Sequence, residues 1–359
     1  MLLWLLGNGS GDGHHTLRAA LAGLVAFGAC LLLGPRVIAW LRAKKVGEKV
    51  AKDDSKRLDE LMAGKSGTPT MGGVFVVAAI LASLSIFGDF SNPVLWVLVF
   101  TLLALGALGA ADDYLKLSGR SKSGMRMRTK FFLQMAISVA VGMLLHMALV
   151  ESDGNLASRL YIPFLGPINL GHLVYPWFVM IVIVATTNAV NITDGLDGLA
   201  GGCLGISTFA YTAVAYVVSR VDYSKYLGLP YVSGSAEVAV FGAAMLGATL
   251  GFLWFNTHPA QVFLGDSGSL PLGGALGLMA CATKQELLLF LVGGVFVIEA
   301  GSSLLQILSF KMTGRRIFRI APLHHHFQFL GMPETKITLR FWIVAALMAV
   351  SSLALLKAR

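Results

Sequence analysis

Two adjacent carboxylates, Asp112 and Asp113, close an apolar run that begins at Pro93. The last turn of a helix carries partial negative charge, and an acid there costs roughly 0.3–1 kcal/mol. Adjacent acids also repel, and Lys116 is the only cation close by in sequence. Acids kept against that cost suit a divalent metal that holds an anionic substrate; the plainer alternative is a solvated helix end. The stretch Asn188-Ala189-Val190-Asn191-Ile192-Thr193-Asp194-Gly195-Leu196-Asp197-Gly198 has the same character. Asn188, Asn191, Asp194 and Asp197 recur at steps of three, which would align them on one face if the stretch is helical. Capping of the next helix by Thr193 or Asp194 would explain one or two of them, not four. Between Phe255 and Ser269, Asp266 lies between Gly265 and Gly268, with Asn256 and Phe263 upstream. Asp266 is either an ordinary cap or a metal ligand that joins Asp112 and Asp113 from another helix. Phe263 is either core or a platform for a base.

Two further stretches and one lone acid complete the set. His324, His325 and His326 follow Arg315, Arg316 and Arg319. Three consecutive histidines cannot all point one way on a regular element. With no cysteine near, phosphate or sugar donors fit them better than tetrahedral zinc. Lys65-Ser66-Gly67-Thr68-Pro69-Thr70-Met71-Gly72-Gly73 offers a lysine for phosphate and glycines for close backbone approach, without Walker spacing; a Pro-Gly helix entry is the plainer alternative. Glu299 lies inside an apolar run, where an acid is costly and reads as functional or as bonded to a neighbouring helix.

These residues need elements to hold them, and the composition says which. The chain has 359 residues, 56% of them hydrophobic and 13% charged, with a mean hydropathy of +0.73. Soluble domains are typically ~45–50% apolar and ~25% charged. The reading is an all-α, polytopic integral membrane protein with a single transmembrane domain over residues 1–359 and no internal repeat. Cys30, Cys203 and Cys281 fall in apolar runs and form neither a disulfide framework nor a metal spacing. Met1 to Leu6 is short and has no basic residue before it, unlike a cleaved signal peptide.

A spanning helix needs ~20 mostly apolar residues. Ten spans are expected: 17–40, 71–88, 93–111, 131–150, 172–190, 198–218, 237–255, 269–283, 286–310 and 338–357. Gly293-Gly294 and Gly301 would let the ninth bend. With ten spans, 21 of the 28 Lys and Arg residues fall on one side, which marks it as cytoplasmic and puts both termini in the periplasm. Every polar cluster above falls on that cytoplasmic face. The net charge of +9 therefore reflects membrane orientation, with no nucleic-acid partner expected. On the outer side, residues 158–171 read as a short hairpin.

Asp112-Asp113, the 188–198 stretch, Gly265-Asp266-Ser267-Gly268 and Ala321-Pro322-Leu323-His324-His325-His326-Phe327 together resemble the phospho-N-acetylmuramoyl-pentapeptide transferase family. The first three also resemble the wider polyprenyl-phosphate N-acetylhexosamine-1-phosphate transferases, while the triple histidine looks specific to the narrower branch. The resemblance covers essentially the whole chain, with no departure at the motif positions. It implies a Mg²⁺-dependent enzyme of the bacterial inner membrane, acting in peptidoglycan synthesis. Its substrates would be UDP-N-acetylmuramoyl-pentapeptide and undecaprenyl phosphate, its products lipid I and UMP, and its form a homodimer. By the same resemblance Asp112, Asp113, Asp266 and His324 are catalytic, and Asp266 with Asp113 holds the metal. Lys65, Thr70, Asn188, Asn191, Asp194, Gly195, Leu196, Asp197, Asn256, Phe263, His325 and His326 bind substrate, with Phe263 against uracil. Direct attack and a covalent phospho-enzyme both remain open. A relative that uses another UDP-sugar is the nearest alternative, and a transporter with Glu299 on an ion path is the remote one.

Overall fold

The computed structural model describes residues 13–44, 65, 67–118, 124–163 and 165–357. Long apolar helices dominate: α1 (Gly13–Ala43), α2 (Gly73–Phe87), α3 (Pro93–Leu117) and α4 (Met127–Ala157) come first. A hairpin follows, β1 (Arg159–Ile162) antiparallel to β2 (Gly166–Asn169), with Arg159 opposite Asn169. Then come α5 (Val174–Thr193), α6 (Leu199–Val218), the short α7 (Val221–Leu227), α8 (Ser235–Asn256) and α9 (Asp266–Ala282). The chain closes with a 3₁₀ turn at Glu286–Leu288, α10 (Leu289–Val292), α11 (Gly294–Thr313), α12 (Leu323–Phe329) and α13 (Glu334–Leu355).

Among the described residues, eight helices are long and apolar enough to cross a membrane: α1, α3, α4, α5, α6, α8, α11 and α13. The second and eighth expected spans appear as shorter helices, α2 with 15 residues and α9 with 17. The brevity of α9 has a physical reason, because every one of its residues is buried. It is enclosed by α3 and α5 and has no face to offer lipid. Glycines make that enclosure possible. A Cβ at Gly73 would collide with the Gly268 backbone, and one at Gly109 with the Asp266 carbonyl.

Three expectations need correction. The third span does not end before Asp112: α3 runs on to Leu117, so both acids sit inside its last turns with Lys116. The ninth span is not continuous. Gly293 breaks it, and the helix restarts at Gly294. Asn188, Asn191, Asp194 and Asp197 do not share one helical face. Helix α5 ends at Thr193, Asp194 is its C-cap and Asp197 lies in the following turn. Gly198, with a positive φ of 73°, stands at the N-cap of α6, so neither Thr193 nor Asp194 caps it.

Candidate active site

Helix α3 carries Asp112 and Asp113 to the first residue of α9, Asp266. Oxygens of these three buried carboxylates lie within 4.8 Å of one another. Asp113 accepts the main-chain N–H groups of Asp266 (3.2 Å) and Ser267 (2.9 Å), and so caps α9 from another helix. The partial positive charge of that helix start favours an acid there. Gly265 makes the turn into α9 with a φ of 71°, a left-handed conformation that glycine adopts at no steric cost. Asp112 accepts the N–H of Met125 at 2.6 Å.

The cations that the two acids demand are lysines. Lys116 Nζ lies 2.8 Å from both Asp112 Oδ2 and Asp266 Oδ2. Lys130, one turn into α4, lies 2.6 Å from Asp266 and 3.4 Å from Asp112. Asn191 Nδ2 donates to Asp266 Oδ1 at 2.5 Å and to Ser269 Oγ at 2.8 Å. Among the described residues, these three carboxylates face two lysines, an excess of one negative charge in a buried place, which is expensive without a counter-ion. An all-oxygen carboxylate set of this kind fits a hard divalent cation that also takes phosphate oxygens.

A second cluster stands beside the first. Lys65 Nζ bridges Asp197 Oδ1 (2.7 Å) and Glu334 Oε1 (2.5 Å), and it sits 5.8 Å from the centre of the Phe263 ring. Asp197 Oδ2 also meets His258 Nδ1 (3.0 Å) and the Ala260 N–H (3.1 Å). Burial pushes the Asp197 carboxyl up, but the Lys65 hydrogen bond and charge, with Ala260 and His258, hold it below the usual carboxylate range. Asp197, His258 and Glu334 have metal-compatible spacing, yet Lys65 already supplies the cation there. The two clusters are tied by main-chain bonds, with the Phe263 N–H donating to Pro69 O and the Gly72 and Gly73 N–H groups donating to Phe263 and Leu264.

The remaining candidates fall around these clusters. Thr70 Oγ1 and Asp113 Oδ2 both border Gly265. Asn188 Nδ2 donates to Gln134 Oε1 (3.2 Å) and Val184 O (2.7 Å). Both ends of the Asn256 side chain are committed to backbone, at the Gly198 N–H and Val262 O. Leu196 is buried, and Gly195 lies against His324. The three histidines do diverge. His324 meets Glu299, His325 meets Gln328 Oε1 at 2.8 Å, and His326 accepts the Arg319 N–H at 3.2 Å.

Lys130, His258 and Glu334 escaped the sequence reading as members of this site. Glu334 opens α13, where an acid is ordinary, so its pattern held no signal. Lys130 stands in the first turn of α4, 18 residues beyond Asp112, where local spacing carries no sign of the contact. Lys122 lies outside the described residues.

The glycosyl transferase family 4 model matches residues 95–284, and signature 1 of the phospho-N-acetylmuramoyl-pentapeptide-transferases matches residues 65–77. A phospho-N-acetylmuramoyl-pentapeptide-transferase of Koribacter versatilis is 41% identical over 96% of this chain and 94% of its own length. One of Leptospira biflexa is 44% identical over the same shares. The chain belongs to the phospho-N-acetylmuramoyl-pentapeptide-transferase family. Membership and the apolar helices together make it a multi-pass protein of the bacterial inner membrane. The family signature covers both Lys65, which pairs with Asp197, and Gly73, where α2 packs closely on α9.

Proposed function

We propose that this protein transfers phospho-N-acetylmuramoyl-pentapeptide from its UDP carrier to undecaprenyl phosphate at the cytoplasmic face, giving lipid I and UMP. The observation that carries this reading is the convergence of Asp112, Asp113 and Asp266 beside the Lys65–Asp197 cluster in a member of this family. In the reaction an acceptor phosphate oxygen forms a bond to the sugar-bearing phosphorus, and the bond from that phosphorus to the UMP oxygen breaks. Positioning and charge stabilisation dominate such transfers.

Asp266 and Asp113 hold Mg²⁺, which when bound neutralises diphosphate oxygens. Asp112 orients or deprotonates the acceptor phosphate. Lys116 and Lys130, now paired with the carboxylates, lie within reach of phosphate charge. Phe263 stacks on uracil beside Lys65 and Asp197, with Thr70, Gly195 and Leu196 shaping the pocket around them. Asn191 fixes Asp266, Asn188 and Asn256 set the loops that carry the pocket, and Asp194 with His324, His325 and His326 faces the phosphate and sugar end. An apolar cavity of about 250 Å³, lined by Val295, Ile298, Leu323, Phe327, Phe341 and Val344, suits a prenyl chain. Residues 1–359 act as one transferase domain.

The test is UMP release by purified protein from UDP-N-acetylmuramoyl-pentapeptide and a polyprenyl phosphate, with Mg²⁺ or with chelator. Release that needs lipid and metal is expected. Release from UDP-N-acetylglucosamine instead would transfer the protein to the sister branch, and silence with every donor in folded protein would overturn the reading.

A further inference from the structure

His324 is fully buried, and its two ring nitrogens meet different surroundings. Nδ1 lies 2.8 Å from Glu299 Oε2, while the His324 main-chain N–H donates to Glu299 Oε1 at 3.1 Å. Nε2 is buried and, among the described residues, has no hydrogen-bond partner. It faces Gly195 so closely that a Cβ at 195 would collide with it. Gly195 belongs to the loop that also carries Asp194 and Asp197.

The acid is held as firmly as the ring. Helix α12 starts at Leu323 after Pro322, which offers no side-chain cap. Helix α11 caps it instead. The Leu323 N–H donates to Ser302 Oγ (3.1 Å), and the His324 N–H donates to Glu299. Ser302 Oγ in turn donates to the Glu299 carbonyl at 2.7 Å. One carboxylate oxygen therefore holds the backbone of α12, and the other is left for the imidazole. A carboxylate accepts hydrogen bonds and does not donate them, so the ring hydrogen belongs on Nδ1 and the lone pair on Nε2. A buried acceptor with no partner calls for an explanation, and a ligand donor is one.

We propose that Glu299 is a positioning residue: it holds His324 in the Nδ1–H form, so that Nε2 receives an O–H or N–H of the bound nucleotide-sugar beside Gly195. The proposal rests on reading the 188–198 loop as part of the donor pocket. It turns the acid inside α11 from an isolated intramembrane charge into the support of a substrate contact.

The test uses full-length protein in detergent with ¹⁵N-labelled histidine, the His324 signals being those lost in His324→Gln. The expected pattern has hydrogen on Nδ1, and the bare Nε2 signal moves when the UDP-sugar is added. Hydrogen on Nε2 in the wild-type protein would overturn the proposal, and this measurement needs no substituted protein to be active. Glu299→Gln offers an N–H to Nδ1, so it should reverse the tautomer and lower kcat/KM by about 10–100-fold. Combined with His324→Gln it should add no further loss, whereas two independent losses that multiply would show that Glu299 does not act through His324. Full turnover by His324→Gln alone would instead remove His324 from the proposed function and leave the tautomer result to stand by itself.

Discussion

Asp197 shows what one residue contributes and how acidity tests it. Its carboxyl is buried, and Lys65 holds it below the usual range against the opposing effect of burial. A group whose folded value is depressed stabilises the fold above its unfolded value, near ~3.9 for aspartate, and loses that contribution as pH falls through the folded value. Asp197→Asn should therefore lower the melting temperature at neutral pH. The gap from wild type should narrow as pH falls through about 4, where the unfolded chain takes up its proton first and the folded carboxylate follows at lower pH. Thermal unfolding of both proteins from pH 7 to pH 3 measures this, and a gap that widens in acid would contradict the assignment. The sequence made Asp197 visible as an acid too many for capping. Its partners Lys65 and Glu334, 132 and 137 residues away, were beyond any local pattern.

Among the elements, α9 decides where the chemistry stands. It carries Asp266 at its start, is buried along its whole length, and is gripped through glycine contacts by α2 and α3. The sequence left Gly72 and Gly73 open between a ligand approaching backbone and a plain helix entry, and they do open α2. The structure gives Gly73 a different use, because the approaching backbone is that of Gly268. Adding a methyl group there must push α2 from α9, and overpacking of this kind typically costs about 1–3 kcal/mol. Gly73→Ala should lower the melting temperature and, by shifting Asp266 relative to Asp113, lower turnover as well. Unchanged stability would mean that the helices are less tightly seated than the geometry shows. Span boundaries were misread where polar residues continue a helix, as at Asp112 and Asp113, because hydropathy marks where a bilayer ends and not where backbone hydrogen bonding ends.

For the whole molecule, the central quantity is the charge collected at one end of the bundle. Asp112, Asp113 and Asp266 outnumber Lys116 and Lys130 by one charge, so the folded protein should bind a divalent cation better than the unfolded chain does. A ligand at 100 times its Kd stabilises a fold by about 2.7 kcal/mol. Mg²⁺ should therefore raise the melting temperature of the wild-type protein without any substrate present. Asp266→Asn removes one of the two carboxylates that face both lysines, and a proposed ligand of the ion, and should abolish the rise. If that variant keeps the full Mg²⁺ response, the ion binds elsewhere. The buried pair Arg18–Glu237, which meets at 2.7 Å, sets one charge against one and holds no such excess.

The sequence by itself determined the all-α polytopic membrane class, the hairpin and the identity of the polar motifs. Those features follow from local properties: apolar run length, turn residues and residue type. Only the tertiary structure decided which motifs touch. It paired Asp113 with the start of α9, put Lys65 between Asp197 and Glu334, and set Glu299 behind His324. Each of these contacts joins residues on different helices, and its geometry depends on how closely glycine lets those helices approach. Hydropathy and spacing carry no record of that distance.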